Sequence, residues 1–308
     1  MSNTTARPPA AFVISITPFD RDGHIDEAGF RGHLRRLAAA GIGVYIGGSG
    51  SGEGYTLTPA ETRRLLDIGV EELKGKVPVR AMGVEPRTPR QMVEFLALCK
   101  AAGVDAAQIY SLDVGHGHPP LQEEVASYLT EALESTDLPV VISTHQSVGY
   151  RVPVETISRL LETYPHIIEV NCSHQDLRYL ADIVDATRGR VGVFVGGPVQ
   201  ALVGWALGGQ GYLCSEGNLA PHLCMSLVRA YAANDLEGVM RAYGKIVRLH
   251  GLIYANGGIR ATKGALIDLG LPGGYPRKPR AELPAAQQKQ VRAAIDALDI
   301  ATLEGWRG

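Results

Sequence analysis

The stretch Val44–Leu57 reads Val-Tyr-Ile-Gly-Gly-Ser-Gly-Ser-Gly-Glu-Gly-Tyr-Thr-Leu and joins an apolar run to a helix start, Thr58-Pro59-Ala60-Glu61. Its glycines allow tight turns and close approach of the backbone to a ligand. The hydroxyls of Ser49 and Ser51 can donate and accept hydrogen bonds. The stretch is not a P-loop, because no Lys-Ser or Lys-Thr pair follows it. It predicts a strand, a glycine-rich turn and a helix, and the turn is either an ordinary connection or a ligand-binding loop.

The same order of apolar run and amphipathic segment recurs along the chain at intervals of about 20–35 residues, which is the size of a βα unit. The apolar runs are Ala11–Ile16, Val44–Gly47, Val77–Gly83, Ala106–Leu112, Pro139–Thr144, Ile167–Cys172, Val191–Val195 and Gly211–Cys214. The amphipathic segments are Phe30–Ala40, Pro59–Leu73, Pro89–Ala102, Gln122–Ser135, Val154–Thr163, Asp176–Ala186 and Val199–Leu207. Eight strand-like runs alternating with helices predict a (β/α)8 TIM barrel, an α/β fold.

Helix ends carry recognisable signals. Thr58 and Thr88 each precede a proline and stand three residues before Glu or Gln, which is typical of a helix start. Gly41, Gly103 and Gly209 suit left-handed caps at helix ends. Beyond residue 221 the pattern is helical, and we expect residues 1–221 to form the barrel and residues 222–308 a C-terminal helical region packed on it. The expected helices there are Leu223–Ala233, Leu236–Leu252, Thr262–Leu269 and Pro284–Leu298.

The composition is that of an ordinary globular protein. The 308 residues carry a net charge of −2 and are 45% hydrophobic. There is no basic block and no run of 18 apolar residues, so the sequence gives no support for a nucleic acid or a membrane as partner. The four cysteines include no Cys-x-x-Cys pair, and residues 1–9 lack the apolar segment of a signal peptide. We therefore expect a soluble cytoplasmic protein.

Polar residues cluster after the apolar runs, at the carboxyl ends where the chemistry of a barrel collects. Four of the nine histidines fall there. The candidate site residues at these ends are Ser49, Ser51, Glu53, Tyr110, Asp113, His116, His118, His145, Asn171, His174, Gly196 and Glu216.

Several segments resemble the dihydrodipicolinate synthase / N-acetylneuraminate lyase family. Phe12–Asp26 resembles the opening of that family, and Tyr45–Leu57 resembles its Gly-Ser/Thr-Thr-Gly-Glu loop. Further matches include Asn218–Pro221 and Lys263–Leu271, so that the resemblance extends from Phe12 to the last helix. It implies a (β/α)8 barrel with a C-terminal helical bundle, assembled as a tetramer. It also implies a Schiff base between a strand-six lysine and pyruvate or a related 2-oxo acid, with a strand-five tyrosine relaying protons.

Departures from that pattern fall on the residues that carry the family's chemistry. Asn171 stands where the resemblance expects the lysine, and Ile142 is aligned with the tyrosine. The segment Asp113–His118 replaces the family's Pro-Tyr-Tyr, and the binding loop has one extra residue near Gly50. All seven lysines of the chain lie outside the eight apolar runs. Because an amide cannot form an imine, we expect no Schiff base.

One interpretation is an enzyme that uses the retained pocket with different chemistry. Glu169 lies two residues before Asn171, so both side chains point to the same face of a strand. Its carboxylate is either paired, for example with Arg80, or has a raised pKa suited to acid/base work. His145 and His174 are alternative general bases.

A second interpretation is a metal site. His116-x-His118 would supply two ligands, and His145, His174, Asp113 or Cys172 could complete the set. Zinc could then polarise a carbonyl in place of the imine.

A third interpretation is a non-catalytic relative that binds a 2-oxo acid or a sugar acid, or that acts as a regulator. Of the three, we favour a lyase-like enzyme (aldolase, hydro-lyase or related) that acts on a small carboxylate or carbonyl substrate by general acid/base or metal assistance. We expect a homo-oligomer, a dimer or a tetramer. The predicted catalytic residues are His145, Asn171, Glu169, His174 and Tyr110. The predicted substrate-binding residues are Ser49, Gly50, Ser51, Gly52, Glu53, Asp113, Gly196 and Glu216. His116 and His118 are the candidate metal ligands.

Overall fold

The computed structural model describes residues 7–306, and its eight parallel strands close into a barrel in chain order. The strands are β1 (Ala10–Ile14), β2 (Gly43–Ile46), β3 (Val79–Ala81), β4 (Ala106–Ile109), β5 (Val140–His145), β6 (Ile167–Ser173), β7 (Gly192–Gly196) and β8 (Gly211–Cys214). Each strand lies within two residues of a predicted run at its start. The TIM-barrel fold class predicted from the alternation is confirmed.

A helix follows each of the first seven strands. These helices are α1 (Glu27–Ala40), α2 (Pro59–Leu73), α3 (Pro89–Ala102), α4 (Gln122–Glu134), α5 (Val154–Thr163), α6 (Leu177–Thr187) and α7 (Ala201–Leu207). Because parallel strands need a crossover connection, this alternation is what allows the barrel to close.

Local chemistry sets most of the helix ends. Thr58 forms the expected capping box with Glu61 at the start of α2. Gly41 and Gly103 end α1 and α3 in the left-handed conformation, each with φ 79°. The prediction for Gly209 was wrong by one residue, because α7 ends at Leu207 and the left-handed cap is Gly208, with φ 103°.

The C-terminal helices are α8 (Pro221–Ala232), α9 (Leu236–Ala255), α10 (Ile259–Asp268), α11 (Ala285–Ala297) and α12 (Ile300–Glu304). The first four were expected, and α12 was missed because it has only five residues. Helix α8 packs against β1 and α1, which ties this region to barrel elements near the start of the chain.

The described residues group into two compact units. One contains residues 7–9 and 80–213, and the second contains residues 10–79 and 214–306. The predicted boundary at residue 221 remains a prediction, since each unit combines segments that are distant in sequence. Over residues 7–306, no helix is both long enough and apolar enough to cross a membrane.

Candidate active site

The pairing of β5 with β6 decides which side chains face the barrel interior. Glu169 on β6 forms an ion pair with Arg80 on β3, although β4 and β5 lie between these strands. Such a contact can only pass through the interior. Because side chains alternate along a strand, Asn171 and Ser173 face inward with Glu169, and Val170 and Cys172 face outward.

Asn171 lies at the centre of this interior and is only 2% exposed. Its Nδ2 donates a hydrogen bond to Oε1 of Gln108 on β4 over 3.1 Å. Its Oδ1 accepts a hydrogen bond from the Ser173 hydroxyl over 3.3 Å. Both ends of the Asn171 amide are therefore held by interior side chains.

The residue of β5 that lies beside Asn171 is Ser143. Ile142 instead pairs with Val170, which places it on the outward face. The alignment of Ile142 with the family's tyrosine is therefore corrected by one residue. Such a slip moves a side chain to the opposite face of a strand, so the interior residue at this level is a serine.

Glu169 is both ion-paired and raised in pKa, which are the two alternatives that the sequence left open. Its carboxylate lies 2.8 Å from Arg80 Nη1, and its side chain is 3% exposed. Burial raises the pKa of Glu169 to about 7, even though Arg80 acts in the opposite direction. Glu169 precedes Asn171 by two residues, which places it about 7 Å further from the carboxyl end of β6. It belongs to the barrel floor rather than to the mouth.

His145 ends β5 and lies on the same face as Ser143. Its Nδ1 is 2.5 Å from the hydroxyl of Ser147, which donates to Glu85 Oε1 over 3.3 Å. The ring of Tyr110 meets the imidazole edge-on, with centroids 6.3 Å apart. Burial lowers the pKa of His145, and the Glu85 carboxylate opposes that shift.

His174 follows β6 and is held differently. Its Nδ1 accepts a hydrogen bond from the backbone N–H of Asp176, and its ring packs edge-on against Tyr179. Burial and the nearby charge of Arg151 lower the pKa of His174. These contacts position the imidazole against its own loop and α6.

The predicted set of metal ligands is not assembled. His116 and His118 lie on an exposed turn, where the Asp113 side chain accepts a hydrogen bond from the Gly115 N–H. Within residues 7–306, the one group of three or more His, Cys, Asp or Glu residues with ligand atoms close enough to share an ion is Asp20, Asp22 and His24. All three are exposed and lie outside the predicted site. The constellation that the zinc interpretation requires is therefore absent from the described residues.

In the other unit, the glycine-rich loop after β2 is anchored by buried groups. The carbonyl of Gly52 accepts a hydrogen bond from the Thr17 hydroxyl over 2.8 Å. Glu53 has φ 51° and pairs with Lys263 at 2.5 Å, and neither side chain is exposed. The second carboxylate oxygen of Glu53 accepts from the backbone N–H of Arg277. Glu53 thus braces the loop, and Ser49, Gly50 and Ser51 form its partly exposed edge.

Two further predicted residues lie at the ends of β7 and β8. Gly196 is so close to Ser173 that a Cβ atom would lie 2.1 Å from the serine hydroxyl, which explains the glycine. Glu216 is fully buried, and its Oε1 lies 2.6 Å from Nδ1 of His250 on α9. The Ser215 hydroxyl donates to the same oxygen over 3.0 Å.

Comparison with known proteins agrees with this architecture. A model of the dihydrodipicolinate synthetase family matches residues 9–298. The chain belongs to this family. Curated relatives named 4-hydroxy-tetrahydrodipicolinate synthase include one from Methanopyrus kandleri, 28% identical over 92% of this chain and 94% of the relative. A second, from Hyphomonas neptunium, is 29% identical over 91% of this chain and 94% of the relative.

Solved structures of dihydrodipicolinate synthases share the fold. One from Bacillus anthracis superposes with a TM-score of 0.86 at 23% identity, covering 94% of this chain and 98% of that protein. One from Thermotoga maritima has a TM-score of 0.87 at 19% identity, covering 95% and 99%. At these identities the likeness concerns the fold, while membership of the dihydrodipicolinate synthetase family rests on the sequence match.

Reasoning from the sequence missed three residues around the site. Gln108 is the one polar residue of β4, and Ser143 is the first polar residue of β5 after three apolar residues. An isolated polar residue in an apolar strand is the signal that could have identified Gln108. His250 gave no such signal, because its partner Glu216 is 34 residues away in the chain.

Proposed function

We propose that the protein is a lyase-type enzyme that acts on a small carboxylate or carbonyl compound without forming a Schiff base. Its membership of the family and the names of its relatives support a lyase. The mechanism rests on the position of Asn171, which is on β6, is buried in the barrel interior and donates a hydrogen bond from its amide to Gln108. The lone pair of an amide nitrogen is delocalised, so this side chain can donate a hydrogen bond but cannot attack a carbonyl.

Lys263 does not supply the missing amine. It is the one buried lysine of the seven, all of which lie within residues 7–306. Its Nζ donates to the Glu53 carboxylate and to the carbonyls of Thr17 and Tyr275. Burial lowers the pKa of Lys263 to about 8, and the Glu53 carboxylate opposes this shift. With three acceptors around three N–H bonds, the ammonium has no lone pair available for attack.

His145 is the acid/base group in this proposal. It lies at the carboxyl end of β5, where catalytic residues of barrels collect, and Ser147 and Glu85 hold its Nδ1 side. Its lowered pKa favours the neutral imidazole near pH 7, which can accept a proton. In the proposed reaction His145 takes a proton from the carbon next to a carbonyl, or returns one to it.

Borohydride trapping tests the absence of the imine. The protein is incubated with pyruvate and sodium borohydride, digested, and analysed by mass spectrometry. We expect no lysine to carry a reduced pyruvyl group, whereas an Asn171→Lys variant gains one at that position. A relative that carries the strand-six lysine serves as the positive control. An adduct on Lys263 or on any other lysine of the wild-type chain contradicts the proposal.

Exchange of the pyruvate methyl protons with D₂O, followed by NMR, tests catalysis without knowledge of a second substrate. Because general acid/base catalysis contributes about 10²- to 10⁴-fold, we expect His145→Gln to slow the exchange by roughly 100-fold. His116→Gln, on the exposed turn, is the matched control and should exchange at the wild-type rate. If neither pyruvate nor longer 2-oxo acids exchange but they bind saturably, the non-catalytic alternative replaces this one.

A further inference from the structure

Two side chains of the barrel interior have potential hydrogen-bond donors without a partner, and a third, Glu169, has an unpaired acceptor, Oε1. Gln108 and Ser143 are each 1% exposed. Within the described residues, Nε2 of Gln108 donates no hydrogen bond, and Oγ of Ser143 neither donates nor accepts one. Leaving such a group buried and unsatisfied costs about 1–3 kcal/mol, and most buried polar atoms in native proteins are therefore paired. These two atoms need an explanation.

The hydrogen bonds around Gln108 form a chain with one direction. The Ser173 hydroxyl donates to Oδ1 of Asn171, and Nδ2 of Asn171 donates to Oε1 of Gln108. The chain ends at the Gln108 NH₂ group, which can only donate. Each bond in such a chain polarises the next, so the terminal N–H groups become stronger donors.

Ser143 lies on β5, the strand between β4, which carries Gln108, and β6, which carries Asn171. Ser143 is paired in register with Asn171 of β6. Val141, two residues before Ser143 in β5, is paired in register with Gln108 of β4. Because β5 lies between β4 and β6, Ser143 faces the interior at the level where Gln108 and Asn171 meet. His145 follows two residues later on the same face, toward the mouth.

From this arrangement we infer that the Gln108 amide and the Ser143 hydroxyl are catalytic residues that bind the substrate oxygen on which negative charge develops. The inference rests on the proposed function and adds to it the group that replaces the imine. The ligand class is a small 2-oxo acid in its enolate form, or another planar oxyanion.

The electron flow needs no further reactant. His145 takes a proton from the carbon next to the carbonyl, and the electrons of that C–H bond form a carbon–carbon double bond. The π electrons of the carbonyl move onto its oxygen, where the two donors stabilise the charge. The reverse flow returns the proton from the imidazolium to carbon. Donors fixed in a site that is nearly closed to solvent are effective, because they do not reorganise and the local dielectric is low.

Binding of oxalate, a planar dianion that resembles the enolate of pyruvate, tests the inference without requiring turnover. Isothermal titration is carried out on the full chain for the wild type, Gln108→Met and Ser143→Ala. Methionine matches glutamine in length and removes the donor. We expect each substitution to weaken oxalate binding by about 10- to 100-fold, as for a lost hydrogen bond to a charged group. Gln122→Met on the exposed start of α4 and Ser226→Ala on α8 are matched controls, and thermal unfolding verifies that every variant folds.

The outcomes separate this inference from the proposed function. Equal oxalate affinity in the wild type and both site variants overturns the inference, as does wild-type protein that exchanges pyruvate protons but binds no oxalate. Weakened oxalate binding in both variants, with wild-type affinity in the controls, supports it. If that pattern appears together with a borohydride adduct on the wild type, the oxyanion donors stand and the imine-free function fails.

Discussion

Glu53 and Lys263 form an ion pair in which neither side chain reaches solvent, although 210 residues separate them in the chain. The pair joins the loop after β2 to α10. Since the carboxylate also accepts the N–H of Arg277, one buried charge organises three segments of the chain.

Removal of the ammonium should be strongly destabilising. Lys263→Met leaves the Glu53 carboxylate buried without its counter-charge, and breaking one partner of such a pair costs about 3–5 kcal/mol. Urea unfolding measures the loss. Lys245→Met is the matched control, because Lys245 lies 3.8 Å from Asp299 in a pair whose side chains are 23% and 64% exposed, and it should lose under about 1 kcal/mol. Equal losses in the two variants would show that the Glu53–Lys263 pair does not hold the loop.

Glu169 should make stability depend on pH in a particular direction. Burial raises its folded pKa to about 7 from the ordinary 4.5, so between these values the folded state binds more protons than the unfolded state. The free energy of unfolding therefore falls as pH rises from about 4.5 to about 7.

The effect of Glu169 is isolated by comparison with Glu169→Gln, which cannot ionise. Across that pH range, the unfolding free energy of the wild type should fall by up to about 3 kcal/mol relative to that of the variant. His33 acts in the opposite direction, since burial lowers its pKa to about 3, but it is the same in both proteins. A difference that is flat with pH would show that Glu169 titrates at an ordinary value.

The sequence predicts the fold well where local chemistry decides it. The limits of α2 agree with the prediction at both ends, because Thr58, Pro59 and Glu61 specify the start within four residues.

The site was only partly predictable, because its contacts are distant in sequence. Asn171 meets Gln108, which lies 63 residues earlier in the chain, and no sequence pattern indicates that these two side chains will meet. The misplacement of Ile142 shows the same limit, since a one-residue slip leaves the alignment plausible but reverses the face.

Ser143 and Ser173 should respond oppositely to truncation. Ser143→Ala removes a buried hydroxyl that has no partner, so we expect the free energy of unfolding to rise by about 0.5–1 kcal/mol while pyruvate exchange falls. Ser173→Ala removes the hydroxyl that donates to Asn171, and should lower the unfolding free energy by about 1 kcal/mol. Denaturant melts and exchange rates of both variants provide the measurement. If Ser143→Ala destabilises the fold, then its hydroxyl has a structural partner and is not held available for a ligand.

The glycine-rich loop should tolerate a methyl group at one glycine and not at another. A Cβ at Gly54 would lie 2.2 Å from the carbonyl oxygen of Gly47, whereas a Cβ at Gly50 meets no atom within 4 Å. Gly54→Ala must move backbone against backbone, and we expect a loss of more than about 2 kcal/mol together with weaker ligand binding. Gly50→Ala is the matched control. Because the φ of Gly50 is not positive, alanine fits there without strain. The variant should have the stability of the wild type or gain up to about 1 kcal/mol, since alanine restricts the unfolded chain. Thermal unfolding and pyruvate titration of both variants measure the two effects. Loss of ligand binding in Gly50→Ala with unchanged stability would instead show that the substrate contacts the loop at Gly50 itself.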